Sequence, residues 1–251
     1  LHSHKANAAK AAGIQTAVDD NGVAGAVSAL QEAENASDSI LATIANPIAV
    51  ILVPVIGIHA WQMAAAAENV LRERITKGIV LTKYGHVKGS LANIECYEAG
   101  HPVPDENSFH GTEAILRMTS DLKPWDQVLF LISGGGSALF ENPLVSGEEL
   151  EDITRQLLKC GANIVEINTI RKRLSAVKGG KFAKHCAPAS IFSVVLSDII
   201  GDPLDMIASG PAYPDSTTAE EALALGESYP SLKAEALNNL AFCSFIRMDF
   251  E

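Results

Sequence analysis

"LFLISGGGSALFE" (residues 129–141) sets an apolar run against three consecutive glycines and then a second apolar patch. A continuous run of Leu, Ile and Phe bounded by glycine reads as a strand buried on both faces, the pattern of a parallel sheet rather than of an antiparallel sheet with one wet face. Taken with the residues before it, "DQVLFLISGGG" is a strand ending in a glycine loop. Glycines let backbone N–H groups converge on an anion, and a helix starting just afterwards adds the positive end of its dipole, so Ser133, Gly134, Gly135, Gly136 and Ser137 make a candidate phosphate or carboxylate cradle. The competing reading is a tight turn at positive φ, which rarely needs three glycines in a row. The motif is neither the P-loop pattern nor the dinucleotide fingerprint.

The same rhythm extends in both directions. "AVILVPVIG" reads as a strand, "AWQMAAAAENVLRERI" as the helix after it and "KGIVLTKYG" as the next strand. "NSFHGTEAILRMTSDL" follows as a helix whose cap is Asp105, and "SGEELEDITRQLLKCGA" as a helix opened by Ser146 with Glu149 three residues on, a capping box. "ASIFSVVLSD" closes the series as a strand. The expected fold is α/β: a Rossmann-like three-layer sandwich with a mostly parallel sheet. Before it, residues 1–45 are alanine-rich and read as an N-terminal helical segment, broken near "DDNG" and packed on the main domain, which spans residues 46–251. Ligands of such sheets sit beyond the carboxyl ends of the strands, which selects the loops after Val55, Ile132 and Leu196.

A chain of 251 residues, 47% hydrophobic, is long enough for a sizeable core. Its formal net charge of −11 argues against nucleic acid as a partner. The most apolar stretch, "IANPIAVILVPVIGI", falls short of the ~18 residues a membrane span needs and contains two prolines. Four widely spaced cysteines suggest neither a zinc site nor a disulfide framework; with no signal peptide in evidence, the cytoplasm is the expected compartment.

Two more stretches can carry chemistry. In "VVLSDIIGDPLDMIASGP", Asp198 follows a buried strand directly, where a carboxylate is placed to hold Mg²⁺ or accept a proton. "INTIRKRLSAVKGGKFAKH" packs Arg171, Lys172, Arg173, Lys178, Lys181 and Lys184 into an otherwise acidic chain. It reads equally as a solvated helix face or as part of a positive pocket. His86 and His101 each follow a strand-like run and read as structural hydrogen-bonding residues.

Together and in this order, "TKYGH", "YEAGHPVPDENS", "LISGGGSALFENP", "INTIRKRLSAVKGGKFA" and "VLSDIIGDPLDMIASGPAYPDSTT" resemble the N-terminal catalytic region of the glycerate 2-kinase family, some of whose members are named hydroxypyruvate reductase. The resemblance covers roughly residues 50–225. It implies ATP-dependent phosphorylation of D-glycerate on the 2-hydroxyl, with ATP and Mg²⁺ as cofactors and a small-molecule substrate, without nucleic acid or membrane, and with a homodimer as the assembly to test. Joined to the local chemistry, it assigns residues 133–137 to the cofactor, Asp198 to the metal or the substrate hydroxyl, and Lys178 or Lys181 to charge neutralisation. A hydroxypyruvate reductase would need a nicotinamide site, and no G-x-G-x-x-G follows any strand. The chain departs from the family pattern twice. Where the family carries Gly-Lys-Ala after the first strand, this sequence has Gly57, Ile58 and His59, and the family's smaller C-terminal domain has no counterpart in these residues. A catalytically impaired relative that only binds ligand is the alternative expectation.

Overall fold

The structure, a computed structural model, describes residues 14–19, 49–197 and 203–229. Six strands form one sheet: β1 (Ile14–Asp19), β2 (Ile51–Ile56), β3 (Lys77–Lys83), β4 (Ile94–Ala99), β5 (Gln127–Ser133) and β6 (Ser190–Leu196). Their order is β1-β6-β5-β2-β3-β4, and every neighbouring pair runs parallel. Strand β1 corrects the helical reading at residues 14–19, which pair with β6 at the sheet edge; the rest of residues 1–45 lies outside the described residues. The surrounding alanines argued for helix, but Ile14, Thr16 and Val18 are β-branched and find a partner in the distant β6.

Alternation along β2 and β5 builds the two faces. Leu52, Ile56, Val128, Phe130 and Ile132 belong to one core, with Ala114 and Ile115 of α2 (Glu106–Met118) and Phe182 of α6 (Lys181–Cys186). Ile51, Val53, Val55, Leu129 and Leu131 belong to the other, with Ala60, Met63, Ala64 and Ala67 of α1 (Ala60–Leu71). Every side chain of β2 and β5 is buried, as the continuous apolar runs require of central strands covered by helices on both sides. A third cluster joins α4 (Gly147–Lys159), α5 (Ile164–Arg173) and α7 (Ala219–Glu227) through Leu150, Leu157, Ile170 and Ala222.

Both anticipated caps form. Asp105 accepts from Ser108 N–H at 3.0 Å, and Ser146 and Glu149 exchange side-chain and backbone bonds of 3.2 and 2.8 Å. Between β5 and α4 lies α3 (Gly136–Leu139), a single turn. Phe140, just after it, packs in a trio with Phe130 and Phe182, at ring-centroid separations of 4.8 to 5.8 Å, and thereby pins the end of α3 to the sheet.

Candidate functional site at the strand carboxyl ends

The chain leaves β2 for β3 on one side, while β5 lies on β2's other side. The carboxyl ends of β2 and β5 therefore flank the point where strand order reverses, the usual ligand crevice of a parallel sheet. Two of the three loops singled out from sequence meet there. Ile58 N–H donates to Gly134 O at 2.9 Å and His59 N–H to Ser133 Oγ at 3.0 Å. Thr82 Oγ1 donates to Gly57 O at 2.9 Å, which ties the first loop to β3 as well. In the loop after Leu196, residues 198–202, Asp198 among them, lie outside the described residues.

Close packing explains part of the glycine run. Gly57 has φ +115°, and a Cβ on it would lie 2.3 Å from Ser133 Oγ. Gly135 has φ +82°, and a Cβ there would lie 2.8 Å from both His101 Nε2 and Ile58 Cγ1. A Cβ on Gly136 would meet the Ala208 methyl at 2.7 Å. Protein atoms thus already exclude side chains at two of the three consecutive glycines. The loop still keeps its donors: among the described residues, no backbone acceptor takes the N–H groups of Gly134, Gly135, Gly136 or Ser137. Because α3 has only four residues, its macrodipole is small, and what it offers a ligand is these N–H groups.

Around this loop stand groups that differ in kind. Ile58, half-buried, lies against Gly135, and His59 is exposed. His86 Nδ1 lies 3.0 Å from Ile58 O. Burial, then the charges of Lys83 and His86, hold the His101 imidazole below its ordinary pKa, so it stays neutral at pH 7. On the far side, Ala208 and Ser209 take φ of 51° and 62°, a left-handed backbone uncommon for residues with a Cβ. Gly179 and Gly180 hold that turn by donating to Ser209 O at 3.0 Å and Gly210 O at 2.7 Å. Ser209 Oγ in turn lies 3.1 Å from Ser137 Oγ and donates to the buried Asn168 at 3.2 Å.

Apart from the exposed Lys184, the basic stretch is no solvated face. Lys172, Arg173 and Lys178 are buried, and Arg171 is 14% exposed. Lys178 Nζ, fully enclosed, donates to Ser137 O at 3.0 Å and Phe140 O at 2.8 Å, and it lies 3.0 Å from the equally enclosed Glu141 carboxylate. Arg171 reaches Ser137 O at 3.3 Å and the same carboxylate at 3.5 Å. Lys181 Nζ donates to the carbonyls of Lys172 and Ser175 and so closes the end of α5. Lys172 and Arg173 turn to Asp215, at 3.1 and 2.8 Å, and Lys172 also lies 3.7 Å from Asp205. The structure brings Lys178 to the back of residues 133–137 rather than to their open side, and keeps Lys181 apart from them.

Sequence reasoning passed over Glu141, Asn168, Ser209 and Ala208. Glu141 carried one readable signal, an acid directly after the apolar patch "ALF", where a lone carboxylate needs a buried cation. Among the described residues no group of three or more His, Cys, Asp or Glu is placed to hold a metal ion.

Fold and site together define a parallel α/β protein whose crevice lies over a glycine loop at the sheet's reversal point. The chain belongs to the family described as "Domain of unknown function (DUF4147)", whose model matches residues 5–240. It is 57% identical over 182 residues to the D-glycerate 2-kinase of Thermotoga maritima, a match covering 72% of this chain and 43% of that protein. It is 47% identical over 176 residues to the glycerate 2-kinase of Pyrococcus horikoshii, covering 69% of this chain and 39% of the relative. Among solved structures, a crystal structure of glycerate kinase from Thermotoga maritima superposes with a TM-score of 0.74 at 47% identity, over 87% of this chain and 52% of that one. The matches thus take in about half, or less, of each relative's own length.

Proposed function

We propose that this chain is the ligand-binding α/β part of an ATP-dependent kinase that phosphorylates D-glycerate on its 2-hydroxyl, giving 2-phosphoglycerate. The observation that carries this reading is the set of loop N–H groups at Gly134–Ser137 that find no backbone acceptor among the described residues, located at the reversal point of the sheet. Support also comes from the names of the similar proteins, glycerate 2-kinases at 47 to 57% identity.

Phosphoryl transfer asks the protein for positioning and charge neutralisation more than for covalent chemistry. Residues 133–137 fit the first demand, since rigid backbone donors bind a phosphate or a carboxylate without reorganising. Mg²⁺, when bound, would supply the second by offsetting phosphate charge. The described residues make no dedicated cage for it, because Asp205 and Asp215 are committed to Lys172, Arg173 and Ser216. Asp198 is the residue we assign to the metal or the substrate hydroxyl. The cytoplasm is the compartment its cysteine usage fits, and no described helix is long and apolar enough to cross a membrane.

Ile58 favours a second reading, binding without turnover, because a methyl-bearing side chain at the crevice cannot steady a transferring phosphoryl group. A coupled assay for D-glycerate-dependent ADP release, run beside calorimetric titration with MgATP and with D-glycerate, separates the two. Turnover that requires D-glycerate supports the kinase. Binding without turnover, with Ile58→Lys raising the rate by about 10²-fold or more, supports the impaired relative. Neither turnover nor binding removes both readings.

A further inference from the structure

The single-turn helix α3 poses a mechanical problem. Four residues cannot hold helical geometry by themselves, since one turn fixes several dihedrals for very few hydrogen bonds. Yet the N–H groups at its start serve a ligand only if the turn keeps its direction. In a helix all N–H groups point to the start and all C=O groups to the end, so whatever grips the carbonyl end also aims the amide end. Here the carbonyl end is gripped by side chains. Lys178 takes Ser137 O and Phe140 O, Arg171 takes Ser137 O, and both cations face one carboxylate, Glu141, which is itself fully buried.

The charges do not balance. Among the described residues two cations share one carboxylate, so a net positive charge lies directly behind the glycine loop. Burial makes it expensive: desolvation, offset in part by Glu141 and augmented by repulsion from Arg171, lowers the Lys178 ammonium from 10.5 to about 8. An anion in front of the loop would repay that cost across a medium of low dielectric.

Resting on the anion-binding reading above, we propose that Lys178 is a positioning residue: from behind, with Arg171 and Glu141, it aims the residue 134–137 amides and couples anion binding at the loop to retention of its own proton. Lys178 never touches the ligand. The charged groups that face it are Glu141, just after α3, and Arg171 of α5. By linkage, an anion that stabilises the ammonium is bound more weakly once the free protein has lost that proton, by up to about tenfold per pH unit above the midpoint.

Two measurements on the full chain test this. First, the amide resonances of Gly134, Gly135, Gly136 and Ser137 are followed from pH 6.5 to 9.5 without ligand. They are expected to move together with one midpoint near 8; four amides that stay still over that range overturn the proposal. Second, MgATP and, separately, D-glycerate are titrated calorimetrically at pH 7 and 9 in two buffers of different ionisation enthalpy. The expected result is weaker binding at pH 9, with proton uptake on binding at that pH. Lys178→Arg is expected to keep the affinity and flatten its pH dependence, and Lys178→Met to lose both. Binding equally tight at both pH values, without proton uptake, also overturns the proposal. Should neither compound bind while the amides titrate as expected, the kinase reading fails and the positioning role of Lys178 stands.

Discussion

Arg171, Lys172 and Arg173 are consecutive, yet they serve two different clusters. Lys172 and Arg173 meet two carboxylates, Asp205 and Asp215, beside the N-terminus of α7, and the account there is neutral. Arg171 joins Lys178 on Glu141, which among the described residues is the one carboxylate facing both, so an excess cation is left behind the glycine loop. The ~100° between successive helical residues splits the run. A balanced buried network is what structure alone requires, because each cation must be paired once it leaves water. Among the described residues the other cluster carries one cation more than its carboxylates, a charge that the anion proposed at the loop would offset.

The neutral cluster offers the most damaging way to break the comparison. Asp215→Ala leaves Lys172 with Asp205 and Arg173 without a carboxylate among the described residues, and frees Thr217 N–H; we expect a loss of about 4 kcal/mol in chemical denaturation. A loss under about 1 kcal/mol would mean that the two clusters do not differ in the way described.

Lys178→Met should cost less, about 3 kcal/mol, because Arg171 still faces Glu141 while the carbonyls of Ser137 and Phe140 lose a donor. Adding Glu141→Gln should restore part of that loss, and a double-mutant cycle reads the coupling. Strict additivity would show that the pair does not act as a unit.

In front of the loop, backbone geometry is at stake rather than charge. Gly135→Ala meets both the left-handed φ and the His101 ring, so about 1–2 kcal/mol of stability should go, together with MgATP binding. Unchanged binding would place the ligand elsewhere.

The smallest effect concerns His101. Its folded pKa lies below the ordinary 6.5, so the unfolded chain takes up the proton first as pH falls. Its contribution is therefore complete above pH 6.5 and drains away as pH drops through the folded value. The melting temperature of His101→Gln should accordingly decline less between pH 7 and 5 than that of the parent; equal slopes would remove His101 from the titrating set.

Much of this molecule was legible in its letters. Continuous apolar runs at residues 51–56 and 127–133 announced central parallel strands, and Asp105 and Ser146 announced helix starts, because these signals depend on neighbours within a few residues. Residues 14–19 were misjudged because the alanines around them favour helix, although Ile14, Thr16 and Val18 are themselves strand formers; pairing with β6, some 180 residues away, fixes them as a strand. The glycine loop was visible as a feature. Its packing against His101, Ile58 and Ala208 was not, for each of those comes from a different part of the chain.

The sequence by itself thus determined the layers of the fold, the place of the glycine loop at a strand end and the absence of a lysine at residue 58. Only the tertiary structure decided what the basic stretch is for. Charge and helical spacing are local properties, whereas the partner of each cation, Glu141 or Asp215, is chosen by which segments the sheet brings within a few ångströms, and in a buried site that choice sets whether a charge is cancelled or held in reserve.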